Sequence, residues 1–398
     1  MNSSSIARIL AGCSWRVQRN LLRFALNGHR TVRAFEQRIR EGKPFFPAFL
    51  MLSITNQCNL RCRGCWVSQT KPSSQLSLNQ IQGIIDTAAK YRSYFFGILG
   101  GEPLFYPELL TIFRKNPKVY FQLYTNGTML DEKIAGELAK LGNVTPLISI
   151  EGLETESRRR RGRDDVFARS ISGLEAAVRA KLFTGVTASI NMKNFDELVS
   201  RDYLDFLVSK GVHYIWYFIY RPCGPDPDCS NALDREHVLK LRRFLVEQRK
   251  TAKILILDAY WDADGHAQCP GAMGLSHHIA PNGAVEFCPI LQSAGGFLNE
   301  DSSNLEEIFQ KETILSNLRQ FSTKQGRDCM VIRSPHELLE ELKKNHAQDS
   351  SGRSAFYREL EERTPMPCHD VPGGEIPEKS AMYRFGKRNY FFGFGAYG

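Results

Sequence analysis

The chain has 398 residues, 42% of them hydrophobic and 24% charged, which is ordinary globular composition and supports one large domain with a smaller one. No uninterrupted apolar run approaches bilayer-spanning length, which excludes a helical membrane protein. The formal net charge of +9 suits an anionic partner but does not choose among nucleic acid, lipid and acidic peptide.

Much of that charge is local. Residues 5–42 interleave Ile6, Ile9, Leu10, Trp15, Val17, Leu21, Leu22, Phe24, Val32 and Phe35 with arginines, a pattern that predicts one or two basic amphipathic helices. Such a segment packs on the rest of the protein or touches a membrane surface, and residues 1–45 are the candidate for peripheral membrane contact. Leu10-Ala11-Gly12-Cys13 imitates a lipoprotein cleavage site, yet only Ile9-Leu10-Ala11 precedes the cysteine, far short of the roughly 7–15 apolar residues that export requires. The expectation is a cytoplasmic protein, at most peripheral at the inner membrane face, with Cys13 an ordinary thiol.

From residue 48 the rhythm changes. Runs rich in β-branched and aromatic residues (49–55, 94–99, 119–124, 147–150, 185–190 and 214–220) alternate with helical patterns at 78–91, 131–141 and 171–180. Such alternation predicts an α/β fold, a partial (β/α)6, TIM-like barrel, with chemistry at the C-terminal ends of its strands. After Tyr220 a Pro- and Gly-rich stretch breaks the pattern, and one more helix is expected over 234–250. Three domains are therefore expected: a basic helical extension (1–47), the barrel (48–255), and a smaller C-terminal domain (256–398) ending in an aromatic, Gly-rich tail from Tyr383.

Cys58, Cys62 and Cys65 fall within eight residues directly after the first strand. Thiolates so spaced converge on one metal site, either zinc with a fourth ligand from elsewhere or an iron-sulfur cluster. Three cysteines on a four-iron cluster leave one iron free for a small molecule, as an electron-transferring activator needs.

This CxxxCxxC spacing resembles the radical S-adenosylmethionine superfamily, whose motifs are matched in order across about residues 48–224. The resemblance implies a 4Fe-4S cluster whose free iron chelates S-adenosylmethionine, and one-electron cleavage of that cofactor to a 5'-deoxyadenosyl radical. Gly100-Gly101-Glu102-Pro103 matches the family's GGEP segment, which meets the methionine amino group; the glycines let backbone carbonyls approach an ammonium. Asn126 lies in a TNG segment, Ser149 and Glu151 end the fourth strand, Arg161 stands where relatives meet the cofactor carboxylate, and Asn191 is a further candidate of this kind. The other arginines of the 158–161 run are expected at the surface. Many relatives carry an aromatic before the third cysteine; here that residue is Gly64, and Trp66 on the far side either takes over that role or packs in the core.

Cys269, Gly283 and Cys288 fit the CX9-15GX4C opening of the SPASM and twitch extensions, and Gly283 is expected to turn a hairpin. The dense cysteine run of a full SPASM domain is missing, so the resemblance implies a twitch-like form with one auxiliary 4Fe-4S cluster, completed by Cys329 and Cys368. Cys223 and Cys229 are spare thiols or alternative ligands; His277, His278 and His369 are loop histidines, ligands or proton shuttles. Pro289 replaces the aspartate that sulfatase-maturating relatives use as a base, which leaves Asp258, Asp262 and Asp264 as candidates.

The activity implied is hydrogen abstraction from a substrate, first a ribosomally made peptide, with a flavodoxin- or ferredoxin-type reductant as partner. Alternatives are radical modification of a lipid or small metabolite at a membrane surface, or a zinc- or cluster-held interaction module, with nucleic acid the least expected partner.

Overall fold

The computed structural model describes residues 3–310 and 314–390, so the end of the aromatic tail lies outside the described residues. Among them, eleven strands form one sheet. In chain order these are β1 Phe49–Ser53, β2 Phe95–Leu99, β3 Tyr120–Thr125, β4 Val144–Ser149, β5 Gly185–Ile190, β6 Tyr214–Ile219, β7 Leu255–Leu257, β8 Ser276–Ile279, β9 Ala284–Cys288, β10 Leu291–Phe297 and β11 Gln348–Asp349. Spatially they run β11-β10-β9-β8-β1-β2-β3-β4-β5-β6-β7, and the linear order leaves the barrel open.

The six expected strands form, pair in parallel with their sequence neighbours, and are joined by helices. Local sequence explains the helices. Leu78–Lys90 starts at a capping box made by Ser77 and Gln80, and Ile81, Ile84, Ile85 and Ala88 recur at helical spacing on its buried face. Glu132–Leu141 starts at Asp131, whose side chain takes the Ile134 N–H, and stops at Gly142 in the left-handed region.

The sheet also gains strands from the C-terminal segment. β7 adds a parallel strand beside β6, so the expected boundary at 255/256 falls inside a strand. On the other side β8 pairs in parallel with β1, Met51 opposite His278, and β9 and β10 continue antiparallel. Gly283, at φ +82°, turns the β8–β9 hairpin.

The N-terminal segment forms two helices, α1 (Ser3–Gly12) and α2 (Trp15–Arg40), the second started by Ser14. Both pack where the barrel strands begin. Val32 and Phe35 join Ala48, Phe49, Phe95, Tyr120 and Leu275 in one apolar cluster, and the Phe24 ring stacks on Tyr120 at 4.6 Å. Arg8 donates to the carbonyls of Val208 and Lys253, and Cys13 lies 3.6 Å from His213, just before β6. The helices thus close the end of the barrel opposite the cysteine loop, each enclosed aromatic or aliphatic side chain contributing about 2 kcal/mol. No described helix is long and apolar enough to cross a membrane.

Candidate active site

The C-terminal ends of the parallel strands surround a cavity of about 440 Å³. Cys58, Cys62 and Cys65 line it, together with Gly100, Gly101, Asn126, Ser149, Glu151 and Arg161. The structure therefore brings most of the candidate residues to one place.

Backbone pairing fixes the cysteine loop against the GGEP turn. Gly101 N–H donates to the Thr55 carbonyl at 2.8 Å and Glu102 N–H to the Gln57 carbonyl at 2.7 Å, immediately before Cys58. This approach needs glycine: a Cβ on Gly100 would stand 2.3 Å from the Thr55 carbonyl oxygen, and one on Gly101 2.2 Å from that of Gln57. Glu102 is completely enclosed and does not line the cavity. Its carboxylate accepts from the Leu104 N–H at 3.1 Å, the Thr125 hydroxyl at 2.7 Å and the Asn126 N–H at 2.7 Å, locking the end of β2 to the end of β3. Pro103, also buried, sits at the start of the 3-10 turn that follows.

Asn126 is held for the first cysteine. Its amide donates to Asn59 Oδ1 at 2.9 Å and lies 3.9 Å from Cys58 Sγ, while Leu60 N–H points at the same sulfur from 3.4 Å. Burial, with the neighbouring Glu102 and the other thiols, pushes the Cys58 thiol up to about 12; burial and Cys62 push Cys65 up to about 11. Metal binding at these sulfurs therefore has to displace protons.

On the opposite wall Glu151 is neutralised. Its Oε2 accepts from Arg160 Nη1 at 2.7 Å and from the Ser189 N–H at 2.9 Å, and Oε1 lies 3.6 Å from Arg161, which also donates to the Ser149 carbonyl at 2.9 Å. Arg160 was expected at the surface; instead it lines the cavity, because the helix Glu154–Arg161 turns its last two residues inward. Asn191 does not line the cavity: its Oδ1 accepts from the Lys193 and Asn194 N–H groups and shapes the loop after β5. The Trp66 ring lines the cavity, edge-on to His278 with the ring centroids 5.7 Å apart.

Tyr220, at the end of β6, is a cavity residue that sequence reasoning missed. A Cβ on Gly64, at φ +65°, would lie 2.4 Å from the Tyr220 hydroxyl oxygen, so the ring fills the space beside this glycine, and the Arg160 guanidinium stands 5.6 Å over its face. The signal available was Gly64 itself, a small residue where a large one is common.

The second cysteine group opens on the same cavity. Cys269, Cys288 and Cys329 line it, and Cys368 adjoins Cys329, thiol to thiol. Arg221 lies against this second group, donating from Nε to Cys368 Sγ at 3.5 Å while stacking 4.9 Å over Tyr260. The hydrogen bond from Cys368, with Arg221 nearby, pulls the Cys329 thiol below the ordinary thiol range although burial opposes it. Asp328 gathers the two segments: Oδ1 accepts from the Cys329 N–H at 2.8 Å and the His369 N–H at 3.0 Å. Ligand atoms of Asp328, Cys368 and His369 lie within 4.8 Å of one another, so Asp328, not singled out by sequence, could share a metal with that cysteine. Soft sulfurs in two groups fit iron-sulfur clusters by their donor chemistry.

Of the remaining candidates, His277 and His369 line the cavity and the others lie outside it. Cys223 is buried outside the lining and Cys229 is exposed. His277 lines the cavity, and burial and Arg319 push its ring down to about 3, which keeps it neutral. His278 is enclosed between Ser53, 2.7 Å from Nε2, and Glu286, 2.6 Å from Nδ1. None of the aspartates considered as bases lines the cavity: Asp258 sits in a buried ion cluster with Arg242, Arg249 and Lys387, Asp262 caps a loop through the Asp264 and His266 N–H groups, and Asp264 pairs with Arg384.

Comparison with known proteins agrees with this geometry. Residues 52–200 match the Radical SAM superfamily model, and the region that holds the first cysteine group belongs to that superfamily. The AdoMet-dependent heme synthase of Methanosarcina barkeri is 25% identical over 52% of this chain and 60% of its own length. The mycofactocin maturase MftC of Mycolicibacterium smegmatis is 26% identical over 69% of this chain and 73% of its own length. Streptococcus suis SuiB, crystallised with the precursor peptide SuiA, shares the fold at a TM-score of 0.60 with 15% identity, covering 85% of this chain and 78% of that one. The chain thus spans little more than half the length of the first of these relatives.

Proposed function

We propose that this chain is a radical S-adenosylmethionine enzyme acting on a ribosomally made peptide. Cys58, Cys62 and Cys65 would hold the 4Fe-4S cluster. With S-adenosylmethionine on its free iron, that cluster supplies reductive cleavage of the sulfonium and a 5'-deoxyadenosyl radical that abstracts hydrogen from the peptide.

The protein's own residues bind, orient and exclude water. Gly100 and Gly101 present backbone to the methionine ammonium, while Arg161, held at the Ser149 carbonyl, presents a cation to the carboxylate. Arg160 and Tyr220 form a wall for the adenine end, and Trp216, Phe218 and Tyr260 keep the cavity apolar where a radical must be shielded. Residues 48–255 would carry this machinery, and Cys269, Cys288, Cys329 and Cys368 of residues 256–398 an auxiliary 4Fe-4S cluster. The electron would come from a flavodoxin- or ferredoxin-type protein.

The observation that carries this reading is that both cysteine groups open on one cavity, so a bound substrate would lie between them. A peptide is favoured among substrates because MftC is named a maturase and SuiB was crystallised with a precursor peptide. Anaerobic reconstitution should give about eight irons per chain, falling to about four when either cysteine group is replaced by alanine. Four irons in the wild type, all lost with Cys58, Cys62 and Cys65, would remove the auxiliary cluster from the reading.

A further inference from the structure

Helix α2 has two faces, and the closure of the barrel uses only one. Val17, Val32 and Phe35 face the protein. On the outer side Trp15, Arg19, Leu22, Leu26, Arg30 and Arg33 follow one another at spacings of three and four, and every one is exposed. The apolar members are unusually open for their size: Trp15 is 72% exposed, Leu22 63% and Leu26 54%. Arg19 stands 5.6 Å over the Trp15 ring. The helix carries seven arginines against a single glutamate, Glu36.

We propose that this outer face of α2 is a docking surface for an anionic lipid bilayer. Three large apolar side chains on one line of a surface helix have no use in water, and arginines interleaved among them complement lipid phosphates at the depth where Trp and Leu enter the interface. Charge alone would serve nucleic acid equally; the tryptophan and two leucines between the arginines favour the bilayer. Leu10 of α1 is 56% exposed just before the turn into α2, and the helix Ala381–Asn389, whose Phe385 is 58% exposed, approaches α2 where His29 lies 3.4 Å from the Asn389 carbonyl.

The placement has a consequence for the site. Because α2 covers the ends where the barrel strands begin, docking would turn the cysteine-lined ends away from the bilayer. Substrate would then arrive from the aqueous side, as a peptide does, and not by lateral entry from lipid.

The test is flotation of the purified full chain with phosphatidylcholine vesicles and with vesicles holding about 30 mol% phosphatidylglycerol. It is run beside Leu22→Gln/Leu26→Gln and Arg19→Gln/Arg30→Gln/Arg33→Gln, and each variant is checked for an unchanged melting temperature. The wild type should float with the anionic vesicles alone, and each variant should lose bound protein by about tenfold or more. Quenching of tryptophan fluorescence by brominated lipid should be largely lost in Trp15→Phe, a readout that does not depend on the multiple variants folding. No flotation of the wild type at low salt would overturn the proposal. So would full binding by the leucine variant, which would assign the surface to a purely electrostatic partner such as nucleic acid.

Discussion

At the residue scale, Glu102 does more for the site as a fastener than as a cofactor contact. Removing its carboxylate leaves the Leu104 N–H, the Asn126 N–H and the Thr125 hydroxyl without their acceptor inside the protein. Glu102→Ala should therefore destabilise the fold by about 3 kcal/mol, read as a lower urea midpoint in the metal-free protein. An unchanged midpoint would show that the three donors find other partners. Gly64 is a second case, because a side chain there meets both a positive φ and the Tyr220 ring. Gly64→Ala should cost about 2 kcal/mol, and adding Tyr220→Leu should recover the part due to collision but not the part due to φ. The cysteines, GGEP and Asn126 were legible because spacing and glycine chemistry are local. Arg160 and Tyr220 were not, since a residue's place in a cavity depends on where a helix ends or which strand stands opposite.

At the element scale, the alternation of strand and helix over 48–220 was legible because each strand is an apolar run between turn residues. β7 and β8 were missed for different reasons. Leu255–Leu257 is too short to display a period, and β8, Ser-His-His-Ile, looks polar because its histidines are paired inside the protein. The pairing of β8 with β1 joins residues more than two hundred positions apart, which no local pattern announces. Asp328 plays the equivalent part for the two downstream cysteines by taking the N–H groups next to each. Asp328→Ala should lower auxiliary iron while leaving the iron bound through Cys58, Cys62 and Cys65 in place, as iron counting and spectroscopy would show. Loss of both sets together would mean that Asp328 supports the whole fold instead.

At the scale of the whole molecule, the two ends of the barrel have different tasks. The N-terminal helices close one end, and Phe35→Ala should lower stability by about 3 kcal/mol in urea unfolding without changing the iron content of the reconstituted protein. Beside the other edge, the helix Arg235–Thr251, the end of β7 and the C-terminal helix are joined by a buried cluster in which Lys387, Arg249 and Arg242 converge on Asp258 and Arg249 also meets Glu378 at 2.7 Å. Burial opposes the charge on Asp258, but these cations hold its carboxyl well below the usual range. A depressed carboxyl adds stability above the unfolded-state value near about 4 and loses it as pH falls from there, because the unfolded chain then binds the extra proton. Acid unfolding should accordingly steepen below about pH 4, and Asp258→Asn should flatten that slope while lowering stability at neutral pH.

The central claim is that the cavity cleaves S-adenosylmethionine, and the most direct measurement is 5'-deoxyadenosine release from the anaerobically reconstituted protein on adding dithionite and cofactor. Release by the wild type and none by the variant with Cys58, Cys62 and Cys65 replaced by alanine is the predicted result. A fully iron-loaded wild-type protein that releases no 5'-deoxyadenosine would contradict it.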